Sequence, residues 1–425
     1  MRGDRTRLRR CWANVGVVVG VVALVSGMCS SVWAGAASAT RSSHATMPIV
    51  AKGPCFPSAK KSYTVAMIRW DPSDIFFNAV QLGEQMENNR IESQCHVTIK
   101  WRLFGADDVS KQITALQTDL AAGVDGVDLV PWEGAAFTST VNQLYAKHVP
   151  VVVHNADVPG AHETFVAFDN VAAAHLAASR LVGALNKDRG TAWQHESGVF
   201  LELRCILGAS FDIGRNKGYT SILNPIVSAS GGKISIVSEV AGCNDSTARS
   251  DTDQVISRYG DKLLGVVAMD GDSGFGAESA LASAGMAYKH TDKRYIPVVA
   301  VDGSQAELNS IAEGGMLTAG EQPAIAEGII VERILYEELA TKTVVPASSH
   351  ASTYAMPGFA GAPWLPVKII RSPDFTGPWY QTQTYDTTSL PLASHLHWAN
   401  IQDYYLTGKW PVYTSKGCVS GCPTS

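Results

Sequence analysis

Short apolar runs with polar or aromatic tips recur along the first third of the chain, and each is followed by the apolar spacing of an amphipathic helix. The runs are Tyr63–Trp70, Gly126–Val130 leading into Pro131-Trp132-Glu133, and Val149–Val153 leading into His154-Asn155-Ala156-Asp157. Apolar stretches this short, bounded by helical patterns, predict buried strands of a parallel sheet. Strands at His96–Trp101 and Thr164–Phe168, and helices at Phe76–Asn89, Val109–Ala121 and Phe137–Lys147, complete the alternation. Asp107-Asp108 is placed to cap the second of these helices, and Gly123 to stop it. Crossovers of this length favour right-handed parallel units.

The rhythm then restarts. Asp169-Asn170 opens an Ala-rich helix, Val171–Leu185. Strands follow at Val199–Leu203, Ile234–Val240, Leu264–Met269, Ile296–Val301 and Met316–Ala319. Helices are expected at Arg215–Leu223, Ser246–Tyr259, Gly276–Ala284 and Ile325–Leu339, the last running into Thr341–Val345. The fold class is therefore α/β, with two doubly wound parallel sheets. Open sheets of this kind bind ligands beyond the carboxyl ends of their strands, so one cleft between the two is the expected site. Past Val345 the pattern fades. Pro, Gly, Ser, Thr and aromatic residues dominate 346–425, and only Leu365–Ile370 reads as a strand. The abundance of Trp and Tyr argues against disorder and for a tail wrapped over the core.

The amino terminus has the order of an export signal. Five Arg precede the apolar run Val15–Val25, and small residues follow in Val32-Trp33-Ala34 and Ala37-Ser38-Ala39. The run is shorter than the ~20 residues of a spanning helix, so cleavage after Ala34 or Ala39 is expected rather than an anchor. Removing 1–34 takes five Arg and one Asp and leaves a net charge of −9. That balance repels nucleic acid and anionic lipid. Six cysteines remain: Cys55, Cys95, Cys205, Cys243, Cys418 and Cys422. An even count in an exported chain points to disulfides. Cys55 and Cys95 precede neighbouring strands, Cys205 and Cys243 follow two others, and Cys418 and Cys422 lie in one terminal loop. The count still permits every pairing. The cysteines lack paired Cys-x-x-Cys motifs, and His154, His162, His175 and His195 show no metal-ligand spacing, so neither a metal nor a cofactor is expected.

In their order and tips these segments resemble the type I periplasmic substrate-binding proteins of ABC importers, in particular the ribose-like sugar-binding group related to LacI-type repressors. Seven places carry the resemblance: Ala66-Met67-Ile68 with Phe76-Phe77; Ala121–Val127; Pro131-Trp132-Glu133; Asn155-Ala156-Asp157; Phe168-Asp169-Asn170; Gly214–Tyr219; and Val299–Gly303. It covers residues 60–345, more loosely to 372. It implies two lobes joined by three crossings, near 167–169, near 319–322 and after Val345, closing on ligand by hinge motion. The lobes would be 60–167 plus 322–345, and 168–321 plus about 346–372, with 373–425 as an extension. The chain departs from the pattern in Trp70-Asp71-Pro72-Ser73-Asp74, where sugar binders often carry Asn or Ser, and in its long carboxy-terminal tail.

Hydroxyl-rich ligands need planar hydrogen-bonding groups and an aromatic face. The strand ends supply both. Trp70, Phe76, Phe77 and Trp132 are candidate walls, and Asp74, Glu133, Asn155 and Asp157 candidate acceptors from the first lobe. Arg215, Asn244, Asp270 and Asp302 would come from the second lobe and Gln322 from the hinge. Arg215 opens its expected helix, where its charge opposes the helix dipole, which points to an anionic or ligand partner. Carboxylates outnumber that single Arg, so a cationic or amino-substituted ligand is the alternative to a neutral sugar or polyol.

The leading reading is a monomeric receptor in the periplasm that delivers its ligand to an inner-membrane ABC permease. The same fold serves a sensor that presents its ligand to a membrane kinase or chemoreceptor. An enzyme is disfavoured by the lack of Gly-x-Ser-x-Gly, His-Glu-x-x-His, Gly-x-x-x-x-Gly-Lys and Gly-x-Gly-x-x-Gly motifs, although the clustered carboxylates leave hydrolysis as a third reading. A repressor is disfavoured because an export signal stands where a DNA-binding headpiece would.

Overall fold

Alternation along the strands decides the architecture. The computed structural model describes residues 52–70, 72–343, 352–359 and 361–423. The expected export signal and the end of the stretch expected at 341–345 lie outside them. The first series comprises β1 (Ser62–Arg69), α1 (Ile75–Arg90), β2 (Thr98–Gly105), α2 (Val109–Ala121), β3 (Gly126–Leu129), α3 (Thr138–Ala146), β4 (Val151–His154) and β5 (Thr164–Phe168). The second comprises α4 (Asn170–Arg189), β6 (Gly198–Arg204), α5 (Ser210–Ala229), β7 (Ile234–Val240), α6 (Asp245–Tyr259), β8 (Leu263–Ala268), α7 (Gly271–Ser283), β9 (Val298–Asp302), α8 (Gln305–Ala312) and β10 (Thr318–Glu321). Then α9 (Ala324–Thr341) returns to the first series.

Tyr63 and Val65 of β1 pack beneath α1 and α9, whereas Ala66 and Ile68 face α2 and α3. In β6, Phe200 joins the α4–α5 face while Val199 and Leu201 join the α6–α7 face. Both strands thus bury both faces, as the interior of a parallel sheet between two helical layers requires. The contact between α1 and α9 depends on two glycines. A Cβ at Gly83 would lie 2.1 Å from the Ile325 carbonyl oxygen, and one at Gly328 would lie 2.0 Å from that of Val80.

The tail is folded throughout its described part. It forms β11 (Ser352–Tyr354), β12 (Val367–Arg371), β13 (Pro378–Thr382), β14 (Tyr385–Asp386), α10 (Trp398–Thr407) and a hairpin of β15 (Val412–Thr414) and β16 (Gly417–Ser420). The first sheet runs β11-β12-β13-β5-β4-β3-β1-β2 and the second β14-β10-β9-β8-β6-β7. Residues 346–372, expected with the second lobe, therefore contribute β11 and β12 to the first sheet, because β13 pairs in parallel with β5. The chain crosses between sheets after β5, after β10, and between β13 and β14, so the third crossing falls at Gln383–Thr384, within the stretch after Val345. Among the described residues no helix is long and apolar enough to cross a membrane.

Three disulfides form: Cys55–Cys95, Cys205–Cys243 and Cys418–Cys422. Mass spectrometry of unreduced mature protein is expected to find no alkylatable thiol; six would refute the pairing. Gly328→Ala is expected to lower stability by about 1–3 kcal/mol through overpacking. Gly183→Ala, on an exposed helical position with nothing within 4 Å of the added carbon, should be neutral or stabilising. Thermal unfolding of both variants checks the contrast.

Candidate functional site

Between the two sheets lies a cavity of about 90 Å³. Strand ends supply Trp70, Asn155, Asp270, Asp302 and Gln322, and helix starts supply Asp74, Phe76, Phe77, Phe211, Arg215 and Asp272. Ser304 and Trp398 complete the polar and aromatic lining. Nine of the thirteen residues expected at the site are therefore gathered here.

Arg215 forms the floor. It is 3% exposed, and its Nε donates to Asn170 Oδ1 (2.9 Å), its Nη1 to the Met269 carbonyl and its Nη2 to Gln322 Oε1 (2.9 Å). Asp302 Oδ1 lies 3.4 Å from Nη2, and the guanidinium sits against the rings of Phe168 and Phe211. Gln322 in turn donates through Nε2 to Asn155 Oδ1 and Glu327 Oε2, each at 3.0 Å. One amide thus connects Arg215 of the second lobe with Asn155 and α9 of the first. Arg215 does not open its helix as expected: α5 begins five residues earlier, at Ser210, so no dipole conflict arises. Burial and carboxylate pairing account for the residue instead.

The walls are aromatic. Trp70 packs on Phe77 (5.2 Å between ring centres), on Trp132 (4.7 Å) and across the cleft on Phe211 (5.9 Å). Phe76 meets Trp398 edge-on at 5.9 Å. Trp398 was not identifiable from its sequence surroundings. It comes from α10 in the tail, where its Nε1 donates to the Asp302 carbonyl (2.8 Å) and its backbone N–H to Glu321 Oε1 (3.2 Å). The neighbouring His397 pairs with Glu321 in full burial. Burial disfavours the charged ring, but the Glu321 carboxylate outweighs it and raises the His397 pKa.

Two cleft residues have unusual backbones. Asn155 has φ 64° and Asp302 φ 147°. Asn tolerates the left-handed region, whereas the Asp302 conformation is strained, and such strain collects at functional sites. The carboxyls around it resist ionisation. Burial pushes Asp74 up to about 6, against hydrogen bonds from the backbone N–H groups of Phe76 and Phe77. Burial, then the charges of Asp270 and Asp74, raise Asp272 to about 6. Asp270 is raised by burial, and so is Asp302, with Arg215 opposing in part. Asp302 keeps 19% of its side chain exposed, so a group filling the cleft would complete its burial.

Four expected residues lie outside the cavity. Trp132 backs Trp70, held by its N–H bond to Gln112 Oε1 (2.9 Å). Glu133 is exposed on the rim. Asp157 is buried beside the start of α5, where its N–H donates to Ser210 Oγ (3.1 Å). Asn244 caps α6 by accepting from Thr247 N–H (3.0 Å). An Asn before a helical pattern is usually a cap, and here it is one.

This arrangement defines a two-lobed protein with a candidate site between its sheets. A periplasmic binding protein domain is matched over residues 65–342, and the chain belongs to that family, with the type I lobe arrangement. As a member it is a binding protein rather than an enzyme. It is 28% identical over 221 residues to the xylitol-binding protein of Mycolicibacterium smegmatis, covering 52% of this chain and 58% of that protein. It is 24% identical over 290 residues to the ribose import binding protein RbsB of Bacillus subtilis, covering 67% of this chain and 86% of that one. A Bacillus halodurans ABC transporter solute-binding protein, solved with myo-inositol, shares the fold at a TM-score of 0.56 and 18% identity, over 68% of this chain and 92% of that one.

Asp74→Asn keeps the α1 cap, since Asn caps as well as Asp. A carboxyl whose folded pKa is raised, here from 3.8 to about 6, contributes stability below the lower value and loses it as pH rises through the upper. The ligand-free variant should therefore exceed wild type by up to about 3 kcal/mol at pH 7.5 and converge with it near pH 3. Denaturant titrations at both pH values measure the difference.

Proposed function

We propose that this chain is the exported receptor of an ABC importer, binding one small polyhydroxylated solute, a sugar or polyol, and presenting it to an inner-membrane permease. The observation carrying this is the joint lining of one cavity by aromatic faces and hydrogen-bonding side chains from both lobes. Apolar rings suit the C–H faces of such a ligand, and Asp74, Asp270, Asp302 and Asn155 suit its hydroxyls. At about 90 Å³ the space suits a small solute rather than an oligosaccharide. Relatives that bind xylitol and import ribose point the same way. The three disulfides suit an oxidising compartment such as the periplasm. We assign the first lobe to β1–β5, α1–α3, α9 and β11–β13, and the second to α4–α8, β6–β10 and β14. A monomer suffices, because one chain builds the whole site.

A second reading, an amino-substituted ligand, is favoured by four acidic side chains facing one Arg. Burial counts against it, because it resists the ionised carboxylates that an ammonium needs, whereas a hydroxyl can bond to either form. The two readings part with pH: polyol affinity should hold or rise from pH 7.5 to 5.5, whereas an amine should bind less tightly as the acids take up protons.

A thermal-shift panel of pentitols, pentoses, hexoses, inositols and small amines is expected to show a melting-point rise with a hydroxylated solute. No response to any of them would overturn the assignment. Arg215→Ala and Asp302→Ala should each weaken binding by about 2–5 kcal/mol, as loss of one partner in a buried charged pair does. Calorimetric titration at wild-type affinity in both variants would exclude this cavity.

A further inference from the structure

Behind the cleft floor, inside the first lobe, three ionisable side chains converge from separate elements. Glu84 lies on α1, Asp128 in the middle of β3 and His154 at the end of β4. They are 2%, 1% and 3% exposed. His154 Nε2 is 2.9 Å from Asp128 Oδ1 and 3.9 Å from Glu84 Oε1, and one ligand atom from each residue lies within 4.8 Å of the others. Donor atoms held about 2.0–2.2 Å from one ion stand about 3.0–3.5 Å apart, so a small inward shift of Glu84 completes such a set.

Hydrogen bonding leaves the group unfinished. Both Asp128 oxygens and His154 Nδ1 are buried without a properly aligned hydrogen-bond partner in the protein, and so is Oε2 of the adjoining Glu332. Charge is unbalanced too. Three carboxyls, Glu84, Asp128 and Glu332, act on one another and face one cation, Arg69, which offsets them in part while its Nη donors go to the Phe77 carbonyl and Asn78 Oδ1. Buried carboxylates are normally paired or ligate a metal. Two carboxylates and one imidazole suit a borderline cation, whereas calcium takes six to eight oxygens and magnesium retains water.

We propose that Glu84, Asp128 and His154 form a buried site for one divalent first-row transition ion, zinc(II) or manganese(II), that secures the first lobe behind the ligand cleft. The spacing of these residues, one per element, resembles no metal motif, and only the sheet brings them together. The site stands independently of the solute proposed above.

Tag-free mature protein is stripped with chelator, dialysed against zinc(II) or manganese(II), and assayed by native mass spectrometry, elemental analysis and thermal unfolding. One retained ion per chain is expected, with a melting point that rises with metal concentration. Glu84→Gln and Asp128→Asn should each reduce metal affinity about tenfold or more. X-ray absorption of the zinc-loaded wild type, which needs no variant to fold, should show one imidazole among oxygen ligands. No retained ion with either metal, unchanged affinity in both variants, or a shell containing sulfur or several imidazoles would overturn the site and point to a proton shared among the three groups.

Discussion

A guanidinium placed where two lobes meet must have its N–H groups occupied, or the lobes cannot approach. Arg215 meets that constraint with Asn170, the Met269 carbonyl, Gln322 and Asp302. Each partner is thereby fixed in place. Gln322 is held from the opposite side by Asn155 and Glu327, so the positions of β4, α9 and the crossing after β10 all depend on the same amide. Leaving one member of such a buried network unpaired costs more than the intact pair contributes. The junction between the lobes and the floor of the candidate cavity are consequently the same set of bonds.

The tail extends this logic. Its β13 and β14 straddle the third crossing, and α10 brings Trp398 against Phe76 of the first lobe and the Asp302 carbonyl of the second. The buried Glu321–His397 pair anchors that helix next to Gln322. The tail, expected to wrap over the core, lines the candidate cavity through Trp398 and forms an edge of the first sheet. The family match ends at residue 342, so this wall belongs to the part of the chain that the match does not cover.

Acidic groups recur in the interior on a scale that affects solution behaviour. Burial drives the carboxyls of Glu163, Glu327 and Glu338 upward as it does those of the cleft. Raised carboxyl values make the native state the better proton binder in mild acid, opposite to the trend of a protein held together by surface ion pairs.

Read alone, the sequence determined the βα order and the two sheets, and it picked out nine residues that line one cavity. Short apolar runs between helical patterns read as strands, and α2, β5 and β7 fall where the sequence pattern puts them. The cysteine neighbours also stood out, since Cys55 and Cys95 flank adjacent strands. Tertiary structure alone decided the rest. β13, Pro378–Thr382, is a strand only because β5 and β12 offer it hydrogen bonds on both sides, and no local pattern encodes that. Asn244 and Asp270 are both strand-end polar residues that cap helices, and only the packing of α6 and α7 points one outward and the other into the cavity. Trp398 reaches the ligand space across almost a hundred residues from Asp302, a distance over which local patterning carries no information about contact.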